Sequence, residues 1–220
     1  MTMNSITVLE QVIRSRKSIR SYEPVPLSLE DKEYLTGLID SILSEKTPFS
    51  GKVRIHLLEC RKGTATEKLG TYGVIRGAKS FLGVTVDDSQ YAMESIGYTF
   101  EKVVLAATER GLGTCWLAGT FNRNQFAGAM DIRENELFPI VCPIGYPITG
   151  STLINSIFRK ASASDHRKSW EQIYFDGEPC RPLSTEKAGK YSFPLEMARL
   201  SPSAANRQPW RIIYKDDAFH

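Results

Sequence analysis

Residues 201–214 read Ser201-Pro202-Ser203-Ala204-Ala205-Asn206-Arg207-Gln208-Pro209-Trp210-Arg211-Ile212-Ile213-Tyr214. Pro209 cannot continue a helix and pushes Gln208 toward extended backbone, while Trp210, Ile212 and Tyr214 alternate as strand residues do. The stretch therefore predicts a polar loop between a short helix and a strand. Small residues at Ser203, Ala204 and Ala205 admit a ligand close to the backbone, and Ser203, Asn206 and Gln208 offer donors and acceptors. Pro, Ser and Asn also favour an ordinary turn, so composition alone decides nothing here.

A second polar cluster lies near the other end of the chain, at Arg14-Ser15-Arg16-Lys17-Ser18-Ile19-Arg20-Ser21-Tyr22. Arg14, Arg16, Lys17, Arg20 and the Ser18 hydroxyl form a set suited to an anion, because guanidinium forks match phosphate oxygens. A solvated basic loop has the same composition. Between the two clusters lie a glycine-rich helix exit, Gly111-Leu112-Gly113-Thr114-Cys115-Trp116-Leu117-Ala118-Gly119, and a strand with its exit, Phe138 to Pro147 through Gly145-Tyr146-Pro147. No dinucleotide fingerprint or phosphate-binding P-loop occurs.

Together these stretches resemble the FMN-dependent nitroreductase family. Residues 202–210 are similar to its PSxxNxQPW signature, residues 16–22 to its RRSxRxF/Y motif, residues 111–116 to its GLGxCW element and residues 145–147 to its GYP strand. Asp165-His166-Arg167-Lys168-Ser169-Trp170 resembles its RKPLEE stretch, with Ser-Trp in place of Pro-Leu. The resemblance implies an α+β fold with a central, mostly antiparallel sheet and surrounding helices. It implies that Arg16, Lys17, Ser18 and Arg167 hold the phosphate and ribityl of FMN, with Arg20 near N1 and O2 of the ring. The main chain of Leu117, Ala118 and Gly119 would face the ring, and Pro202, Ser203, Asn206 and Gln208 would contact the cofactor from elsewhere. Many family members carry a carboxylate where Ala118 stands, so contact at that point falls to the main chain.

Composition bounds the remaining classes. The chain has 220 residues, 41% hydrophobic and 24% charged, with a net charge of +3. That is ordinary for a globular protein, and too weakly basic to imply nucleic acid or a membrane surface as partner. Cys60, Cys115, Cys142 and Cys180 form no CxxC pair and the chain has 3 His, so no metal site is expected and the thiols read as reduced. No signal peptide and no run near the ~20 apolar residues of a membrane span is present, which makes a cytoplasmic location the expectation.

Apolar spacing predicts a first helix around Val8 to Ile13, opened by Thr7 and Glu10, and a second from Ser28 and Asp31 through Leu35, Leu38, Ile39, Ile42 and Leu43. Val53, Ile55 and Leu57 predict a strand, and Phe81 to Val86 a central one. Residues between Gly63 and Gly77 read as loop. Met93, Ile96, Phe100, Val103, Val104 and Ala107 predict the strongest helix, ended at Gly111; Gly97 and the Ala106-Ala107 pair would admit a partner helix.

The tail reads as a faint second copy of residues 38–55, with helix, Pro-containing loop and strand repeated. The offset of 154 between Pro48 and Pro202 becomes 157 between Val53 and Trp210, so the later loop is longer. The first copy has the basic motif upstream and lacks SxxNxQPW; the second has the reverse. In the family each FMN lies between two subunits that divide these motifs. The resemblance therefore implies a fused branch, with residues 1–181 as a first half and 182–220 as the start of a reduced second half. It leaves two assemblies open: a monomeric pseudo-dimer, or a homodimer if the chain is truncated at its C-terminus. The implied function is transfer of hydride from NAD(P)H, through FMN, to a nitroaromatic, quinone or similar small electrophile. No residue is singled out as catalytic. The alternatives are an FMN-binding protein without efficient turnover, and a structural or partner-binding domain with relic motifs.

Overall fold

The computed structural model describes residues 3–60, 69–148 and 166–220. The chain divides into two compact units, Ser15–Asn155 and a second made of Met1–Arg14 with Ser156–His220.

In the larger unit, α2 (Leu29–Ser44) and α3 (Ala92–Glu109) pack against a four-stranded antiparallel sheet. Its strands are β1 (Val53–Glu59), β2 (Ser80–Asp87), β3 (Gly113–Thr114) and β4 (Glu136–Gly145), in the order β1-β2-β4-β3. Strand β2 is buried along all but its last residue because both of its faces are covered. Leu82, Val84 and Val86 meet Leu35, Ile39 and Ile42 of α2 and Ile96, Phe100, Val103 and Val104 of α3. Phe81 turns the other way into Phe121, Phe126 and Phe138, with α4 (Arg123–Gly128) supplying Phe126.

Ser28 caps α2 as its sequence predicts, its hydroxyl oxygen accepting from the Asp31 amide at 3.1 Å. Gly111 ends α3 with φ +79°, the left-handed turn that glycine takes without strain. Leu43, expected in the buried stripe of α2, is 36% exposed. Another difference concerns α1, which runs Met3–Ser15, so Thr7 and Glu10 lie inside it and form no capping box. Glu10 instead accepts from Arg14 one turn on, at 2.9 Å.

The smaller unit contains α1 and a three-stranded sheet, β5 (Tyr174–Asp176), β6 (Ile212–Lys215) and β7 (Ala218–Phe219), with β5 parallel to β6 and β7 antiparallel to it. Ile173, Tyr174, Leu183, Ala188 and Leu195 form its core, with Trp170, Trp210, Ile212, Tyr214 and Phe219 packed around them. Two short helices, α5 (Thr185–Ala188) and α6 (Ser192–Arg199), precede the 201–211 loop. The predicted order of helix, polar loop and strand is found, although Trp210 lies before the strand. Asp216 and Asp217 both have positive φ and make the two-residue turn into β7. The pairing of β5 with β6 means that a cut at 181/182 would pass through one sheet; the units divide at 155/156. Of the predicted loop between Gly63 and Gly77, residues up to 68 lie outside the described residues, as does Asp165. Among the described residues no helix is long and apolar enough to cross a membrane.

Candidate functional site

In the larger unit the basic stretch 16–22 is a strap held by backbone bonds on both sides. The Ile19 amide donates to Thr114 O at 2.8 Å, the Tyr22 amide to Arg76 O at 2.9 Å and the Arg76 amide to Arg20 O at 2.9 Å. Tyr22, 1% exposed, donates its hydroxyl to Ile19 O at 2.8 Å and pins the turn from inside. Two glycines let the strap come close. A Cβ at Gly113 would sit 3.0 Å from Ile19, and one at Gly77, with φ +79°, 2.0 Å from Tyr22 O.

The strap thus lies along the glycine-rich exit that the sequence marked, and its side chains divide. Lys17 is exposed, and Ser18 and Arg20 are half-buried. Arg14 leaves the predicted anion set, since it ends α1 and is paired with Glu10. The Arg16 side chain is 6% exposed, with Nε 3.8 Å from Glu101 Oε1 on α3. Trp116 donates its indole N–H to Glu101 Oε2 at 2.9 Å. Burial pushes the Glu101 carboxyl above the ordinary glutamate range, opposed by the Arg16 charge and the Trp116 hydrogen bond. Burial also pushes up the Cys115 and Cys142 thiols beside the strap, which leaves them neutral and poor nucleophiles.

Of the three residues expected to present main-chain groups, Leu117 pairs with Val141: its amide donates to Val141 O at 2.9 Å and its carbonyl accepts from the Val141 amide at 3.0 Å, so its N–H is already engaged. Ala118 and Gly119, immediately after it, are exposed.

The smaller unit brings together the other predicted residues. Arg167 donates to Asn206 Oδ1 at 2.9 Å and to Leu200 O at 3.3 Å. Asn206 Nδ2 donates to His166 O at 2.8 Å. Gln208, 3% exposed, accepts from the Lys168 amide at 2.8 Å and donates to His166 O and Asn206 O, both at 3.2 Å. Ser203 Oγ accepts from the Gln208 amide at 2.9 Å, and Pro202 is half-buried at the start of the loop. The polar side chains read as ligand contacts thus lace the loop to residues 166–168. Gln208 is not extended as its place before Pro209 predicts: with Ala205 and Asn206 it takes positive φ, between 46° and 54°, a conformation that non-glycine residues hold only when surrounding bonds fix it.

Sequence reasoning missed Glu101 and Trp116. Glu101 follows Phe100 directly, and a carboxylate next to the buried face of a helix was its only signal. Trp116 was read only as part of its motif.

A family profile described as "Putative TM nitroreductase" matches residues 8–219. No curated protein matches the chain by sequence. A crystal structure of a Thermotoga maritima protein described in the same terms aligns at 20% identity with TM-score 0.57, over 95% of this chain and 72% of that one. A Bacteroides fragilis nitroreductase crystallised with bound FMN aligns at 17% identity and TM-score 0.51, over 66% of this chain and 91% of that one. A nitroreductase with bound FMN from Desulfitobacterium hafniense gives 18% identity and TM-score 0.51 over the same shares. At these identities the structural likeness speaks for the fold.

Proposed function

Since the chain belongs to the nitroreductase family, we propose that it is an FMN-dependent oxidoreductase that moves hydride from NAD(P)H to a nitroaromatic, quinone or similar electrophile. The observation that carries this reading is the cationic strap of residues 16–22, held by its own backbone along the glycine-rich exit. Its donor chemistry suits the cofactor: two guanidinium groups, an ammonium and a hydroxyl within five residues match a terminal phosphate and a polyol. When bound, FMN supplies the two-electron chemistry. The chain binds and orients it. Arg16, Lys17 and Ser18 take the phosphate and ribityl, Arg20 brings positive charge toward N1 and O2, and the Ala118 and Gly119 amides serve the ring. In the smaller unit Arg167 offers a guanidinium of the same phosphate-binding chemistry, held in its loop by Asn206 and the bonds of Ser203 and Gln208.

The test begins with the spectrum of the purified protein, where a yellow species with one FMN per chain is expected. Arg16→Ala should weaken FMN roughly ten- to a hundredfold, as for one or two charge-assisted hydrogen bonds. Unchanged affinity would remove Arg16 from the phosphate. Steady-state NAD(P)H oxidation with a nitroaromatic or quinone should give parallel initial-rate lines, because one flavin face serves donor and acceptor in turn; intersecting lines would count against this. Mixing Arg16→Ala and Asn206→Ala chains asks whether one chain supplies both motif sets, in which case flavin binding is not restored. Ala118 in place of a carboxylate favours a second reading, an FMN-binding protein without efficient turnover. Bound flavin with no NAD(P)H oxidation would select it.

A further inference from the structure

Arg16 does not stand alone in the strap. Arg16 lies 3.8 Å from Glu101, inside ion-pair range but beyond a hydrogen bond, and Glu101 is held from its other oxygen by Trp116. The side chains are 6% and 27% exposed, so water screens the pair poorly. An anion seated on Arg16 would therefore approach a carboxylate that already neutralises it. We propose that Glu101 is a positioning residue that governs how strongly Arg16 holds an anion: as a carboxylate it keeps the guanidinium, and on taking up a proton it yields it. This rests on the reading of Arg16 as a phosphate ligand of FMN.

The neighbours leave Glu101 as the group that titrates. Facing it are the Arg16 guanidinium, the Trp116 indole and, from β4, Cys142. Cys115 faces Cys142, Arg16 and Arg20, and Tyr22 faces both thiols and Arg20. Burial raises both thiols and the Tyr22 phenol, so none of the three ionises as pH falls from neutrality. Lys102, next along α3, turns to Glu45 at 2.6 Å. Burial holds the Glu101 carboxyl above the ordinary glutamate range, opposed by the Arg16 charge and the Trp116 hydrogen bond. By linkage, an anion that competes for Arg16 must raise the Glu101 midpoint further, and each unit of that rise appears as about a tenfold weaker anion affinity above the midpoint.

The experiment follows the Trp116 indole 15N–1H resonance across pH in wild type and Glu101→Gln, without ligand, with FMN and with riboflavin. In parallel, FMN affinity is measured across the same range in both proteins and in Arg16→Ala. Glutamine keeps an acceptor for the indole and loses the titration. The wild-type resonance is expected to titrate, FMN to raise its midpoint and riboflavin, which has no phosphate, to leave it in place. Glu101→Gln should bind FMN tighter than wild type above the midpoint and equally below it. The ionisation of the free phosphate, near pH 6, is common to both proteins and cancels in the ratio. Arg16→Ala should bind FMN with no step at the Glu101 midpoint. FMN binding with an unmoved midpoint, or Glu101→Gln binding no tighter than wild type, would overturn the inference alone. No FMN binding by either protein at any pH would overturn the flavin reading and this inference with it.

Discussion

The helix, loop and strand from α2 to β1 and the same succession from α6 to β6 differ in what holds the loop. Residues 45–52 take no positive φ, and their apolar anchor is Phe49. Phe49 packs on Tyr91 and Tyr98 at ring distances of 6.2 and 6.1 Å, and the Gly51 amide donates to Ser95 Oγ at 3.1 Å. The loop from 200 to 211 has three residues in the left-handed region and is tied by Ser203, Asn206 and Gln208 to each other and to residues 166–168. The helix entrances differ too. Ser28 caps α2, and Asp31 there accepts from Tyr146 Oη at 2.6 Å and Arg110 Nε at 2.5 Å, while α6 has Tyr191 at its N-cap and no side-chain cap. An apolar anchor tolerates small shifts, whereas a left-handed loop laced by amides has one arrangement that satisfies its groups.

The comparison breaks first at Gln208. Gln208→Ala removes the acceptor of the Lys168 amide and both donations to carbonyls, and should cost about 2–3 kcal/mol in urea unfolding. A cost near that of an exposed site would mean the loop is not held by this side chain. Asp31→Asn should cost about 2 kcal/mol at neutral pH by weakening the charge-assisted bonds at the α2 entrance. The Tyr146 hydroxyl, then Arg110 and Ser28, hold the Asp31 carboxyl below the ordinary aspartate range against the effect of burial. A depressed value stabilises the fold above the unfolded-state range, and that contribution fades as pH falls through the folded-state value. The melting difference between wild type and Asp31→Asn should therefore shrink below about pH 4, and a constant difference would remove the charge from the account.

Thr47→Ala samples the first loop's one close hydroxyl bond, Thr47 Oγ1 to Phe49 O at 2.6 Å. With Phe49 still seated on its tyrosines, a loss of only about 0.5–1 kcal/mol is expected. A loss matching that of Gln208→Ala would erase the contrast between the loops. The smallest effect has the opposite sign. Ala205 at φ +50° carries a side chain where glycine is comfortable. Ala205→Gly relieves about 1–2 kcal/mol of strain and adds back about 0.5–1 kcal/mol of unfolded-chain entropy, so melting should show a net gain near 0.5 kcal/mol. Destabilisation there would mean that the Ala205 methyl packs against something the loop needs.

The sequence by itself determined the elements whose cause is local or periodic. The α2 cap, the α3 stripe with its glycine exit, the doubly covered β2 and the helix, loop and strand around Pro209 follow from spacing and turn chemistry, and the family motifs were legible in residue order. Tertiary structure decided where the polar side chains point. Arg14 is drawn to Glu10, Leu117 to Val141, Arg16 to Glu101, and Ser203, Asn206 and Gln208 to the segment around Arg167. The parallel pairing of β5 with β6 likewise joins strands that begin 38 residues apart. The physical reason is common to all of these. A donor or acceptor leaving water takes the partner that the assembled chain brings within about 3 Å, and proximity across tens of residues is a property of the packed chain that residue types and spacing do not encode.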